Sequence, residues 1–436
     1  MTGTGDRVKK NRALIIEDGR IKAVEDDTGG GAGNAGNVID CSGGYLIPGL
    51  IDLHVHSTNP FIDPLDGIRL SKLMSVQKQV VANLESCVRG GVTTIRDMGS
   101  PPGIKRFMGM IDRGRIAGPR IVPSYSMISC AGGYPDMVPR FSWFLRTILN
   151  GQFAERPADE REAEKIAHTL ADKGAAWIKT VHQEESYMFS RAALPVPSDA
   201  VYEAIVRVAR ARGKKIALHA LSVAGYRKGV ALGVDTIEHV PLDELPSEVA
   251  RSVADRGITV VPTMIAPGLY LERMLPVLRD IAMADDGRLV PGARRCVLGV
   301  VDAVLAGERS DTFIDYGYLR RGYDTMAENL RRLRDAGASI AFGTDAGGTD
   351  TCLFGLPWLE MRLMSEAGFG NWEILETATR KNAETLGLNR ELGTIEAGKI
   401  SDMVLLEGNP LEDIGNVRRV LKVWKEGRMA HGGDQR

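Results

Sequence analysis

Eight short apolar runs cross the middle of this 436-residue chain, and helix-like stretches separate them. The first is Gly49–His56, followed by VTTIRD, RIVPSYSMI, AWIKTVH, KIALHA, TIEHV, ITVVPT and SIAFGTD. Strand–helix alternation predicts a parallel sheet, because a parallel return needs a crossover long enough to hold a helix. A doubly wound open sheet meets the same pattern, but it would spread the ionisable groups found here along an edge. A closed barrel brings the C-terminal ends of all its strands to one axis. The expected fold is therefore α/β, a (β/α)8 TIM-type barrel over residues 49–392.

The spacing predicts helices over Lys72–Arg89, stopped by Gly90-Gly91, and over Asp199–Arg212 and Asp324–Ala336. Two connections exceed the roughly 2–6 residues usual in such units. They are Ser129–Pro157 after strand three and Met264–Arg321 after strand seven. Long loops on a catalytic face shape or cover a pocket. Helical decoration of the rim fits the second insert equally well.

The two ends of the chain are β-rich. RALIIEDGRIKAV reads as two strands around the turn Asp18-Gly19. GKISDMVLLEGNP and RVLKVWKEGRMA read as strands with turns at Gly408 and Gly427. A small composite β-sandwich built from both termini follows, with residues 1–48 and 393–436 as its two parts. Thr28–Asn37, mostly Gly, Ala and Asn, reads as a surface loop.

Hydrophobic residues make up 44% of the chain, enough for a large core, and the formal net charge is -1. No basic field marks a nucleic-acid or membrane partner. Five scattered cysteines form no CxxC pair, so neither a disulfide framework nor a thiolate metal site is expected. With no Sec-type apolar segment at the N-terminus and no membrane-length apolar run, the expected setting is the reducing cytoplasm.

Metal-type side chains end several of the apolar runs. His54 and His56 are two apart on a strand, so alternation puts both imidazoles on one face, about 6.6 Å apart along it. His219 closes the fifth strand, His239 the sixth and Asp345 the eighth. A single strand histidine is more often a satisfied core residue than a ligand. Here four of seven histidines end strands, and the case is collective. Asp345 would otherwise be a helix cap or Asx turn. Lys179 ends WIK in strand four, where a buried ammonium is costly unless it snorkels or pairs. The functional alternative is a neutral amine that captures carbon dioxide, giving a carbamate able to bridge two cations. Of the remaining histidines, His168 lies in a helical stretch, His431 in the tail, and His182 three residues past Lys179.

Taken together these segments resemble the amidohydrolase superfamily. The likeness covers PGLIDLHVH, GVTTIRD, WIKT, ALHA, GVDTIEH, FGTDAG, NAETLGL and GTIEAGKISDMVLLEGNPLEDI. The strand-four lysine is similar to that of the binuclear, carboxylated-lysine branch of prolidase-like and imidazolonepropionase-related enzymes. That resemblance implies two divalent metal ions. His54, His56 and Asp345 would hold the first, His219 and His239 the second, and carboxylated Lys179 would bridge them. Zinc is the default, with manganese, iron or cobalt also compatible. Two departures stand out. Tyr134 occupies the Gly-Gly loop (CAGGYPDM) where many relatives carry a histidine, and Ala220, Leu221 and Ser222 follow His219 where deaminases place a glutamate.

The implied activity is metal-dependent hydrolysis of an amide C–N bond in a small molecule, a dipeptide or N-acyl amino acid. A metal-bridging hydroxide attacks, and Asp345 acts as general base and then acid. Cyclic amidase, lactonase or phosphotriesterase-like chemistry and a catalytically silent metal-binding barrel are the alternatives. Tyr134 and His182 are candidate substrate contacts, and Arg96 with Asp97 a candidate ion pair. Tyr270, Arg273, Tyr316 and Tyr318 are candidates to cover the site. A homo-oligomer is expected by analogy with such folds.

Overall fold

The computed structural model describes residues 8–27, 37–59, 70–135, 154–186, 193–284, 286–307, 315–349 and 351–432. The glycine-rich stretch at 28–36 and residues 136–153 of the connection after strand three lie outside them.

Eight parallel segments form the barrel. β4 (Leu50–Val55), β5 (Val92–Asp97) and β6 (Arg120–Pro123) pair in that order. β9 (Trp177–His182), β10 (Lys215–Ala220), β11 (Thr236–Glu238), β12 (Thr259–Val261) and β13 (Ser339–Ile340) pair in sequence order. Backbone bonds join the two arcs. Ala176 N–H donates to Pro123 O at 2.9 Å, linking strands three and four. On the other side Leu53 N–H donates to Phe342 O (3.0 Å) and Asp345 N–H to His54 O (2.8 Å), linking strands eight and one. The expected (β/α)8 barrel is present.

Three of its strands end earlier than the apolar runs suggest, at Glu238, Val261 and Ile340. His239, Thr263 and Asp345 have φ of 73°, 48° and 54°, in the left-handed region that side chains with a Cβ rarely adopt. Each lies past the end of its strand at the barrel mouth. Strand three, read as one run, is interrupted at Tyr125 (φ 59°) and resumes as β7 (Met127–Ile128), which pairs with β9 and with the short β8 (Ala154–Glu155).

Crossover helices cover the strands as their sequences dictate. Asp199–Ala211 starts at Ser198, whose hydroxyl accepts from Val201 N–H, and Val223–Leu232 runs from the Ser222 cap to left-handed Gly233. The insert after strand seven is helical, comprising Ile265–Gly268, Leu275–Met283 and Pro291–Leu305. It packs Leu278, Val297 and Val301 into the main core, so it decorates the rim as packed structure. The helix expected over Asp324–Ala336 is the second half of Tyr316–Asp335.

Outside the barrel, β3 (Tyr45–Pro48), β14 (Met403–Leu406), β15 (Val420–Lys425) and β16 (Arg428–His431) form an antiparallel sheet from both chain ends. The hairpin of β1 (Arg12–Glu17) and β2 (Arg20–Asp26) joins it through Ile21 N–H to Lys399 O (2.8 Å). Ile21, Ile395, Met403, Leu405 and Trp424 fill the core between them. No helix among the described residues is long and apolar enough to cross a membrane.

Candidate metal centre and active site

The strand ends bring all six candidate ligands close at the mouth. Donor atoms of His54, His56 and Asp345 all lie within 4.8 Å of one another. Asp345 Oδ1 stands 3.3 Å from His56 Nε2 and 3.6 Å from His54 Nε2. Opposite them, His219 Nδ1 and His239 Nε2 are 2.8 Å apart. The ring centres of His54 and His239 are 4.8 Å apart, so the two groups adjoin. Lys179 lies beside the first group, its Nζ 3.3 Å from His54 Nε2.

Partners behind the imidazoles decide which nitrogen faces inward. His54 Nδ1 donates to Glu238 Oε2 at 2.7 Å, leaving a lone pair on Nε2. Gln183 gives its amide N–H to Glu185 O (2.9 Å), so its Oε1 must accept from His219 Nε2 (2.6 Å). His219 Nδ1 is then a lone pair. The Thr263 hydroxyl donates to Pro262 O (2.8 Å) and accepts from His239 Nδ1 (2.7 Å), which leaves His239 Nε2 as a lone pair as well. Two lone pairs pointed at each other across 2.8 Å repel unless a cation lies between or beside them. Asp345 Oδ1 adds a buried oxygen that accepts no well-aimed hydrogen bond. A donor set of this kind, imidazole nitrogens and a carboxylate with hydrogen-bonded outer partners, fits divalent metal ions.

Charge states agree with that fit. Burial, with the neighbouring cationic groups, holds His54 and His219 well below the ordinary imidazole pKa, and His239 is pulled to about 4. Neutral imidazoles are the ligating form. Burial pushes Asp345 upward, but His56, His239 and Lys179 outweigh it, and the carboxyl stays below its usual value and ionised. Burial lowers Lys179 to about 8, within reach of a neutral amine.

Behind the centre lies a relay that the sequence reading missed. Arg96 was expected to pair with Asp97. Instead it reaches Glu238 (2.7 Å), Thr236 Oγ1 (3.1 Å) and Leu53 O (2.6 Å). Neighbouring strand residues point to opposite faces, so Arg96 enters the barrel while Asp97 turns to Ser57, Ser100 and Gly99 N–H. Glu238 gave a signal that went unused, an acid inside an apolar strand one residue before a candidate ligand.

The mouth opens into a cavity of about 540 Å3, its open entrance included, with His56, His219, His239 and Asp345 on its floor. Its walls are largely apolar, with Leu221, Leu242, Ala266, Leu319 and Met326. Tyr134 lines it and stacks on His219, ring centres 4.4 Å apart. His182 does not line it. Three residues from Lys179, it faces the other side of β9, where its Nδ1 meets Tyr202 OH at 3.0 Å. Tyr270 is buried against Thr351 (2.6 Å) and Arg273 pairs with Glu366 on the outside, so neither lines the cavity. Tyr318 is half-buried and packs against the main core, while the Tyr316 side chain lies outside the described structure.

Residues 45–430 match the model of the amidohydrolase family. The chain belongs to this family. It is a hydrolase acting on C–N bonds, and the family's use of divalent metal agrees with the His-His-Asp cluster. This amidohydrolase is similar to a solved Xaa-Pro dipeptidase with bound methionine in its active site, with 23% identity, a TM-score of 0.73 and coverage of 98% of this chain and 97% of the other. It is 26% identical to a prolidase complexed with N-methylphosphonate-L-proline, with a TM-score of 0.71 and coverage of 96% and 94%. Among curated proteins it is 24% identical over 413 residues to adenine deaminase from Chelativorans sp. (strain BNC1), covering 92% of this chain and 52% of that protein. The position where deaminases place a glutamate holds Ser222, whose hydroxyl is committed to capping a helix through Gly225 N–H at 3.1 Å.

Proposed function

We propose that this amidohydrolase cleaves the amide bond of a small, predominantly apolar molecule such as a dipeptide or an N-acyl amino acid. In this reading His54, His56 and Asp345 hold one divalent ion, His219 and His239 hold a second, and carboxylated Lys179 lies between them. The observation that carries it is the approach of three imidazole lone pairs and the orphaned Asp345 Oδ1 to one another at the barrel mouth.

Bound ions would supply Lewis acidity and lower the pKa of water; zinc suits these ligands, and manganese, iron or cobalt share the preference. The chain's own groups do the rest. Asp345, held ionised and open to the cavity, takes the proton of the attacking water and passes it to the leaving nitrogen. Glu238, Gln183 and Thr263 keep the imidazoles aimed inward, and burial keeps them neutral. Leu242, Leu319 and Met326 receive the substrate's apolar portion and exclude water from the reacting bond. Lys179, depressed to about 8, is ready to be carboxylated at its amine.

The test joins metal analysis to a panel of dipeptides and N-acyl amino acids read by amine release. The expected result is two ions per chain and turnover that Asp345→Asn reduces roughly 10²–10⁴-fold with the ions retained. Lys179→Ala should lose metal and recover partly with short carboxylic acids. A fully loaded protein that releases no amine from any panel member removes the reading.

A further inference from the structure

Away from the barrel mouth, three arginines converge on a second recess. Arg89 ends the helix Leu70–Arg89, Arg288 belongs to the insert after β12, and Arg418 closes the 3-10 helix Ile414–Arg418 before β15. With Trp358, Gly90 and Gly355 they line a hollow of about 360 Å3, its open mouth included. Among the described residues no carboxylate lines it.

The positive charge there is under-compensated. Arg89 donates to the backbone oxygen of Asp286 and to Ser86 Oγ (2.8 Å). Arg288 donates to Phe354 O (2.5 Å) and to Asp286 Oδ2 (3.1 Å). Asp286 is thus the single carboxylate bonded to the cluster among the described residues. The Nε atoms of Arg89 and Arg288 are both buried and reach no acceptor. Arg418 stands 5.7 Å from the centre of the Trp358 ring and has no hydrogen-bonded or ionic partner among the described residues. Neighbouring groups register the field. Burial and Arg89 together pull Arg288 below its usual value against the opposing effect of Asp286, and the same two causes depress His431.

A second feature points the same way. The ten-residue helix Pro357–Glu366 begins at the recess, preceded by Leu356, with no side chain capping its first turn. Pro357 has no N–H and the Leu359 N–H donates to Leu356 O (3.1 Å), so it is the positive end of the helix dipole that favours an anion at that place.

We propose that this recess is a binding site for a small phosphate-type oxyanion, held by the guanidinium groups of Arg89, Arg288 and Arg418 at the start of the helix Pro357–Glu366. Guanidinium forks match such oxyanions geometrically, and a charge-assisted bond relieves the repulsion among three fixed cations. The recess and the catalytic cavity share no lining residue.

The experiment is calorimetric titration of the metal-loaded full chain with inorganic phosphate, at ionic strength held constant with chloride. The expected result is one saturable site per chain whose affinity falls at least tenfold in Arg418→Gln, an exposed position, while metal content and amide turnover stay unchanged. A parallel titration with phenyl phosphate assigns the source. Tighter binding than inorganic phosphate identifies an organic phosphomonoester, and equal or weaker binding identifies the free ion. Absence of saturable heat over the chloride control overturns the proposal. So does binding that Arg418→Gln leaves intact, because that places the anion at the metal centre.

Discussion

Glu238 grips His54 by its Nδ1 at 2.7 Å, with both side chains withdrawn completely from solvent. The same carboxylate carries Arg96 on its other oxygen at 2.7 Å. One acid thereby neutralises a buried cation and orients a metal-type ligand. Glu238→Gln keeps the volume but leaves Arg96 as an unpaired buried charge, which costs roughly 3–5 kcal/mol. Denaturant unfolding of the metal-free protein should show that loss. A variant as stable as the parent would mean that the relay carries no charge.

Thr263 acts on His239 alone. Thr263→Val preserves shape and removes the oxygen that accepts from His239 Nδ1 at 2.7 Å. The ring is then free to turn or change tautomer, and affinity for the ion proposed at His219 and His239 should drop about 10–100-fold. Competition with a chelator of known affinity reads this directly. Two ions leaving with unaltered affinities would show that the hydroxyl has no part in aiming the ring.

Glu360 sets a pH dependence of folding, with Asp52 and Asp345 adding to the effect of its burial. It accepts N–H bonds from Met264 (2.9 Å) and Ile265 (2.6 Å) at the start of the strand-seven insert. Burial pushes its carboxyl up to about 8, against those two donors. The unfolded chain releases this proton near 4.5, so folding retains a proton between the two values. The stabilisation is complete below about 4.5, declines as pH rises, and is gone above about 8. Thermal unfolding of metal-free protein should therefore weaken from about pH 5 to about pH 8, and Glu360→Gln should flatten that slope. Identical slopes in the two proteins would place the effect elsewhere.

The cavity wall makes a prediction about selectivity. Leu242 and Leu319 contribute apolar surface beside the catalytic floor. Leu319→Ala should lower kcat/KM for substrates with a large apolar side chain by roughly tenfold or more, and by much less for alanine-sized ones. A uniform loss across the series would indicate disturbed packing and no contact with substrate.

Much of the candidate site was legible because period-two alternation at the ends of apolar runs is a local property. His54 and His56 share a face for that reason, and Lys179 enters the barrel through the same rule. His182, an odd number of residues from Lys179, belongs by that count to the opposite face, where it meets Tyr202. The pairing of Arg96 with Glu238 was not legible, because the two are separated by 142 positions and meet only once β5 and β11 face each other across the barrel. The left-handed backbone at His239, Thr263 and Asp345 escaped notice as well, since at residues other than glycine it leaves no compositional mark.

By itself the order of residues determined the eightfold strand–helix repeat, the β-rich ends and the identity of the ligand-type side chains, all of which follow from short-range periodicity and side-chain chemistry. Closure of the ring decided what periodicity cannot express. It chose which nitrogen of His54, His219 and His239 points inward, gave Arg96 its partner, and set three arginines around one recess. Those outcomes depend on contacts between segments far apart along the chain, whose distances exist only after the backbone has closed on itself.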